Sequence, residues 1–309
     1  MISFKPIELS DKAWIDECTR AEDSRSADFN FANMYMWDDC FRQLVAEVEG
    51  CFVAKLQYRE HPFFSFPVGG GDKKRAMEQL HRCALENGFP FCVSGLTAEH
   101  RALMESAFPG KLQFMPGRDY FDYIYLAEKL ATLEGKKLHG KRNHINRFLE
   151  NCGDSWRFVP LTRELLPECG AMLEDWTRAY LENGGTPEGV EDEHRAIGRA
   201  FEHFDYLGLE GGALYVGDRM VAFTIGEKIS SDTYNVHFEK AHADVQGAYP
   251  MINREFVRHV LRLHPEIVYI NREDDMGHEG LRKAKLSYDP VFMVEKFEVC
   301  LCGIEPLSL

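Results

Sequence analysis

Short β-rich runs and amphipathic helices alternate in the first half of the chain. Apolar and β-branched residues dominate 51–58, 63–68 and 89–95. Three glycines (69–71) interrupt this pattern before a helix that Asp72 starts, in which apolar residues recur at helical spacing. Strands that alternate with helices are typical of an α/β fold.

The second half has a longer series of regular elements. A Gly217-Asp218 pair between two β-rich segments predicts a tight hairpin. In chain order the pattern predicts a strand at 156–160, helices at 162–182 and 190–204, a hairpin at 212–229, a strand at 233–241, a helix at 251–263, a strand at 267–272, a helix at 278–287 and a strand at 292–301.

The length of 309 residues fits two domains, which we place at 1–150 and 151–309. Hydrophobic residues make up 45% and charged residues 28% of the chain, an ordinary balance for a folded protein. The 50 acidic residues outnumber the 36 lysines and arginines, and the net charge of −14 repels phosphate backbones. DNA is therefore not an expected partner.

No apolar run approaches the roughly 20 residues of a membrane helix, and the N-terminus does not resemble a signal peptide. The nine cysteines form no Cys-x-x-Cys pair, so we expect neither a metal site nor a disulfide framework. Scattered free thiols are typical of a reducing compartment. We therefore expect a cytoplasmic protein with free cysteines and no membrane span.

Polar side chains alternate with apolar ones in the predicted strand 233–241. Alternation places Asn235, His237 and Glu239 on one face of the strand. Strands inside α/β domains are usually apolar on both faces, so these three residues indicate a lined cavity. The alternative is a strand with one solvated face.

The stretch 136–147 contains Lys136, Lys137, Lys141 and Arg142 and no acidic residue. Such a local positive patch can bind phosphates even on an acidic protein. The alternative is a helix face that lysines and arginines merely keep soluble.

Three segments resemble the phosphatidylglycerol lysyltransferase C-terminal domain family. They are DYFDYIY (119–125), GKKLHGKRNHINRF (135–148) and NREDDMGHEGLRKAKLSYDP (271–290). The resemblance implies an α/β fold of two tandem GNAT (acyl-CoA N-acyltransferase)-like domains with mixed sheets, related to the Fem aminoacyl transferases. The first half would be a degenerate copy, and the second would carry the site.

The third segment supplies further candidates for the site. Asn271 and Glu273 follow the predicted strand 267–272, whose end lies beside that of strand 233–241 in a GNAT arrangement. Arg282 and Lys285 share a helix face, where two cations could bind phosphate or carboxylate. The alternative for this pair is an exposed basic stripe.

GNAT enzymes that use acyl-CoA bind its pyrophosphate with successive backbone N–H groups at a helix start. The corresponding positions here are Gln246, Gly247 and Ala248. An acidic residue, Asp244, stands where Arg or Gln is usual, and Pro250 has no N–H to donate. We expect coenzyme A to bind poorly at this loop.

Acyl transfer to an amine needs a base, oxyanion donors and an acid for the leaving group. Glu239 is the first candidate base and His237 the second. Tyr288 is the candidate acid, because it resembles the tyrosine that follows this helix in many GNAT enzymes.

These observations favour an N-acyl or aminoacyl transferase that joins an activated carboxyl group to a small-molecule or peptide amine. The donor is aminoacyl-tRNA or acyl-CoA, bound as a co-substrate rather than as a tight cofactor. The alternative is a non-catalytic GNAT-fold protein that senses a small amino-acid-like ligand. A hydrolase is not indicated, because neither Gly-x-Ser-x-Gly nor His-Glu-x-x-His occurs.

Overall fold

The computed structural model describes residues 2–57, 61–187 and 189–301. Its strands, in chain order, are β1 (Lys5–Pro6), β2 (Leu44–Val48), β3 (Cys51–Leu56), β4 (Phe63–Ser65), β5 (Phe91–Leu96), β6 (Phe114–Pro116), β7 (Asp122–Leu126), β8 (Trp156–Pro160), β9 (Glu210–Val216), β10 (Arg219–Lys228), β11 (Thr233–Ala241), β12 (Tyr269–Asn271), β13 (Phe292–Val294) and β14 (Phe297–Leu301).

Helices connect most of these strands. They are α1 (Lys12–Glu22), α2 (Phe31–Met36), α3 (Asp38–Phe41), α4 (Lys73–Glu86), α5 (Ala98–Ala107), α6 (Ala127–Thr132), α7 (His139–Cys152), α8 (Leu166–Glu182), α9 (Val190–Glu202), α10 (Phe204–Leu207), α11 (Ala248–Leu263) and α12 (Glu279–Leu286). The predicted α/β class with mixed sheets is confirmed.

The chain divides into two compact units at positions that differ from the predicted boundary. Unit 1 contains Met1–Asp122 and Val294–Leu309, and unit 2 contains Tyr123–Met293. The division predicted after residue 150 would cut through α7, which packs within unit 2. The last strand was also expected in the second domain, but β14 pairs with β5 and β6 of unit 1.

Unit 1 has the sheet order β1-β2-β3-β4-β5-β14-β6, with β4 parallel to β5. A buried Lys296 donates hydrogen bonds to Asp122 at 2.8 Å and to Asp28 at 2.7 Å. Such burial of a charge is tolerated because its partners neutralise it.

The expectation that every cysteine is a free thiol is wrong for one pair. Cys92 and Cys300 form a disulfide. They face each other across the antiparallel pair of β5 and β14, and 208 residues separate them in the sequence. Strand pairing over that distance cannot be inferred from cysteine spacing. Cys302 lies outside the described residues.

Unit 2 has the sheet order β13-β7-β12-β11-β10-β9-β8, with β11 parallel to β12. Helix α11 connects these two strands and packs its apolar face on one side of the sheet together with α6 and α7. Helices α8 and α9 cover the other side, where Phe201 of α9 contacts Phe223 of β10.

A β-bulge interrupts the pairing of β10 with β11. Ile225 pairs with Phe238 and Gly226 pairs with Val236, so His237 is an extra residue on β11. A bulge of this kind shifts the alternation of side chains beyond it. Gly226 has no side chain to obstruct this contact, since a Cβ there would lie 2.1 Å from the carbonyl oxygen of Asn235.

We expect Gly226→Ala to lower the free energy of unfolding by about 2 kcal/mol or more, because its methyl group would collide with backbone. Gly198→Ala is the matched control, since Gly198 is in helix α9 with no atom near its Cβ position, and should gain about 0.5–1 kcal/mol. Urea unfolding measures both. Equal stability of the two variants would contradict the close approach.

Candidate active site

The candidate site lies where β11 and β12 stop pairing. Their parallel register ends at Asn235 and Asn271. Beyond it, Arg272 N donates to Tyr123 O at 3.1 Å, and Tyr123 N donates to the carbonyl oxygen of Glu273 at 3.1 Å. The backbone after β12 therefore follows β7, while β11 continues to Ala241.

The prediction that Asn235, His237 and Glu239 share one face is wrong for Glu239. The bulge at His237 turns Glu239 to the α11 side of the sheet, where Asn253 contacts it. Asn235 and His237 lie on the opposite side. Both are buried, with Asn235 0% and the His237 side chain 0% exposed, so they do not form a solvated face.

On the α8 side, His237 connects two carboxylates. Its Nε2 donates to Glu227 Oε1 at 2.9 Å and its Nδ1 donates to Glu273 Oε1 at 2.9 Å. Asn235 Nδ2 donates to the same Glu273 oxygen at 2.8 Å. Asn235 Nδ2 and both ring nitrogens of His237 are thus paired within this group, whereas Asn235 Oδ1 is buried and has no hydrogen-bond partner among the described residues.

The two carboxylates keep His237 charged. Burial alone would lower the pKa of His237, but the hydrogen bonds and charges of Glu227 and Glu273 raise it to about 9. Burial alone would raise the pKa of Glu273, and the bond from His237 lowers it instead. At neutral pH the group is an imidazolium between two carboxylates.

On the α11 side, Glu239 pairs with Arg272. Arg272 Nη2 donates to Glu239 Oε1 at 2.8 Å, and Asn253 Nδ2 donates to Oε2 at 3.0 Å. Asn253 Oδ1 is buried and has no hydrogen-bond partner among the described residues. The charge of Glu239 raises the pKa of Arg272 further above its ordinary value, although burial opposes this.

Tyr288 and Lys141 complete this side. The Arg272 guanidinium carbon lies 4.7 Å from the centre of the Tyr288 ring, and Lys141 Nζ lies 3.8 Å from the same centre. Burial raises the pKa of the Tyr288 hydroxyl. Burial and the charge of Arg272 lower the pKa of Lys141 to about 8.

Lys141 points inward because it occupies the apolar stripe of α7. Leu138, Ile145 and Phe148 are buried, and their spacing with Lys141 follows one helix face. The sequence placed Lys141 in a phosphate-binding patch, whereas the structure places its ammonium group beside Tyr288 and Arg272.

The other lysines and arginines of that patch lie elsewhere. Lys136 is exposed, Lys137 pairs with Asp289 at 2.7 Å, and Arg142 donates to the carbonyl oxygens of Leu133 and Gly135. Arg142 therefore holds the turn after α6.

Arg282 and Lys285 both bind the segment 272–275 rather than an open surface. Arg282 contacts both carboxylate oxygens of Asp275, at 3.0 and 2.8 Å. Lys285 Nζ donates to the carbonyl oxygens of Arg272, at 2.6 Å, and of Asp274. Asn271 Oδ1 accepts from Glu273 N at 2.6 Å. These residues position Arg272 and Glu273.

The loop that corresponds to a pyrophosphate loop is covered by α7. A Cβ at Gly247 would lie 2.2 Å from the carbonyl oxygen of His144, so the α7 backbone contacts the start of α11. Ala248 N already donates to Val245 O at 3.1 Å. Gln246 is exposed, and Ala248 is buried.

Glu227, Arg272 and Asn253 were missed by the sequence analysis. Each is close to a predicted residue in space: Glu227 pairs with Asn235 in the sheet register, and Asn253 is on α11. Arg272 lies between the predicted residues Asn271 and Glu273, but the direction of its side chain depends on the path of the backbone after β12. Alternation within one strand therefore does not predict which residues of other elements contact that strand.

A separate open cavity in unit 2 has a volume of about 620 Å³. It contains none of the predicted site residues and is lined by Pro160, Leu161, Thr162, Arg163, Glu164, Phe204, Asp205, Leu209, Glu210, Gly211, His259 and Leu263. The described residues include no group of three or more His, Cys, Asp or Glu placed to hold a metal ion. Over the same residues, no helix is both long and apolar enough to cross a membrane.

Residues 20–300 match the family described as phosphatidylglycerol lysyltransferase, C-terminal. An uncharacterized protein of Mycoplasmoides gallisepticum is 26% identical over 180 residues, 58% of this chain, and the match spans only 55% of that relative.

Similar solved structures cover nearly the whole chain. A conserved protein of unknown function from Bacteroides thetaiotaomicron is 40% identical, with a TM-score of 0.90 over 97% of this chain and 100% of that one. L-PGS of Bacillus licheniformis is 14% identical, with a TM-score of 0.63 over 97% and 93%. A tandem GNAT protein of clavulanic acid biosynthesis is 10% identical, with a TM-score of 0.50 over 96% and 98%. The predicted tandem GNAT-like fold is confirmed.

We expect His237 to make the free energy of unfolding depend on pH. Its folded pKa of about 9 exceeds the ordinary 6.5, so its contribution is fully present below pH 6.5 and is lost as pH rises through 9. The stability difference between wild type and His237→Gln should therefore shrink by about 3 kcal/mol over this window.

Urea unfolding at several pH values measures this difference. The contribution of Lys141 to the pH dependence cancels in the difference, because Lys141 is present in both proteins. His278→Gln, at an exposed position, is the control and should follow wild type. A difference that stays constant with pH would mean that His237 is not charged in the folded protein.

Proposed function

We propose that this chain, which belongs to the phosphatidylglycerol lysyltransferase C-terminal family, transfers an aminoacyl group from aminoacyl-tRNA to an amine. Family and fold neighbours support an acyl- or aminoacyl-transferase-like function in general. The observation that carries the finer proposal is the group formed by Lys141, Arg272, Tyr288 and Glu239 where β11 and β12 stop pairing.

The covered start of α11 supports aminoacyl-tRNA over acyl-CoA as the donor. A pyrophosphate at this helix start would need free backbone N–H groups. Few such N–H groups are free here. The backbone of His144 contacts Gly247, Ala248 N already donates within the loop, and Pro250 has no N–H. An ester attached to a nucleic acid requires no pyrophosphate there.

Lys136 is exposed on the segment before α7, where it is available for a phosphate contact with such a donor. Contacts of this kind act locally and are weakened by salt, which suits a protein whose overall charge repels nucleic acid. The acceptor we propose is the amino group of a small molecule or peptide.

The residues of this group suit the chemistry of aminolysis. Arg272 presents a permanent buried cation, which stabilises the oxyanion that forms when an amine attacks an ester. Burial keeps the Tyr288 hydroxyl protonated, so that it can donate a hydrogen bond to the same oxyanion. The buried Oδ1 of Asn253, which no described residue bonds, is the candidate acceptor for the N–H of the substrate amine.

We expect wild-type protein to form amide product from aminoacyl-tRNAs and a panel of amines, and to form none from acyl-CoA thioesters with the same panel. Radiolabelled aminoacyl groups and mass spectrometry measure both. Tyr288→Phe keeps the ring beneath Lys141 and should reduce kcat about 10-fold or more, because it removes one donor to the oxyanion.

Tyr206→Phe is the control, because it removes the same hydroxyl group from a tyrosine that is 54% exposed on α10. The activity of this variant should equal that of wild type. Product from acyl-CoA, or full activity of Tyr288→Phe, would contradict the proposal.

One observation favours the non-catalytic alternative. Direct ion pairs of Glu239 with Arg272 and of His237 with Glu273 connect β11 to the backbone after β12 on both sides of the sheet. These ion pairs hold the side chains of the site in fixed positions, which suits a protein that binds a small ligand next to them without reacting with it. No product from any donor, together with a thermal shift on adding free amino acids, is the result expected of a sensor.

A further inference from the structure

Lys141 is a lysine of the site whose ammonium group makes no direct ion pair with any described residue. Nor does any described residue form a hydrogen bond with this ammonium group, which contacts the face of Tyr288 at 3.8 Å. Its helix positions it by packing, since it shares a face with the buried Ile145 and Phe148. A lysine that only solubilised α7 would point outward.

His237 is unsuited to take a proton from a substrate. Both ring nitrogens already donate, one to Glu227 and one to Glu273, so the ring has no free lone pair. It also lies on the opposite side of the sheet from Tyr288, because the bulge separates it from Glu239.

Glu239 is unsuited for a different reason. It neutralises the buried Arg272 at 2.8 Å, and a proton on Glu239 would leave that guanidinium charge buried without a partner. Tyr288 would have to lose its own proton to act as a base, and burial opposes the phenolate. Tyr125 also contacts this cluster, but its hydroxyl donates to the carbonyl oxygen of Lys285 at 2.8 Å, and burial raises its pKa and so opposes its phenolate. Among the described residues that contact Tyr288 and Arg272, this leaves Lys141 as the candidate base.

We propose that Lys141 is the catalytic proton carrier of the transfer reaction, an inference that rests on the proposed function. In the neutral form, Lys141 Nζ takes a proton from the amine nitrogen as the new C–N bond forms. The ammonium form then gives that proton to the ribose oxygen as the ester C–O bond breaks. Ester and neutral amine become amide and alcohol, and Lys141 returns to its neutral form.

The surroundings of Lys141 support this role. The charged and titratable groups that face it are Glu239 on β11, Arg272 after β12 and Tyr288 after α12. Burial and Arg272 favour the neutral amine more strongly than Glu239 favours the ammonium form, and the pKa is about 8. About a tenth of the lysine is then neutral at pH 7, a suitable balance for a group that both accepts and donates.

Substitution by arginine separates proton transfer from charge. Lys141→Arg keeps a cation but cannot lose its proton, and Lys141→Ala removes both. We expect both variants to lower kcat for aminoacyl transfer about 100-fold or more, since general acid–base catalysis contributes on this scale. Lys283→Arg, at an exposed position of α12, is the control and should behave as wild type.

The pH profile supplies a readout that a structural role would not change. With hydroxylamine as acceptor, an amine that is already neutral at pH 7, kcat should rise with an apparent pKa near 8 in wild type and should lose this step in Lys141→Arg. Activity of Lys141→Arg close to wild type, with the same profile, would show that Lys141 serves only as a cation.

The lysine can also be titrated without any substrate. Reductive methylation with ¹³C-formaldehyde labels lysine side chains for NMR, and the Lys141→Arg spectrum identifies the Lys141 signal. We expect that signal to titrate near pH 8, and titration above pH 10 would overturn the inference. Wild type inactive with all donors would refute the proposed function, whereas an active wild type with an active Lys141→Arg would refute only this role.

Discussion

The close approach of β10 and β11 at Gly226 determines the geometry of the site. Without a side chain at this position, the backbone of Asn235 can lie against it, and β11 accommodates His237 as an additional residue. The bulge then sends His237 to the α8 side and Glu239 to the α11 side. One local irregularity thus creates two separate charged groups from a strand that would otherwise have a single polar face.

The packing of α7 on α11 has two effects on the same site. Contact between Gly247 and the carbonyl oxygen of His144 brings α7 against the start of α11, where it covers the surface that a pyrophosphate would need. Lys141, one turn before His144, is brought beside Tyr288 by the same contact. Burial and the nearby charge of Arg272 favour the neutral form of Lys141 there, although Glu239 acts in the opposite direction.

The sequence was most informative where side-chain periodicity and family resemblance coincided. Strands β8 and β11 have the predicted bounds, and the hairpin of β9 and β10 surrounds Gly217 as expected. The strand end at Asn271 indeed lies beside Asn235. The strand bounds and the hairpin depend on local alternation and turn residues, which a single sequence contains, whereas the neighbouring position of Asn271 and Asn235 was implied by the family resemblance.

Features that depend on distant pairing were not predictable in the same way. The bulge arises from the contact of two strands, so alternation within β11 alone gave the wrong side for Glu239. Arg282 and Lys285 share a helix face as expected, but they bind carboxylate and carbonyl oxygens of the chain itself. The pairing of Cys92 with Cys300 likewise depends on which strands become neighbours.

The position of β14 constrains how the protein is made. During synthesis, β5 emerges about 200 residues before the strand that will pair with it, and its edge has no neighbour on that side until Phe297–Leu301 has left the ribosome. An unpaired strand edge invites association with other chains. Unit 1 therefore cannot complete its sheet until the whole of unit 2 and then β14 have been synthesised.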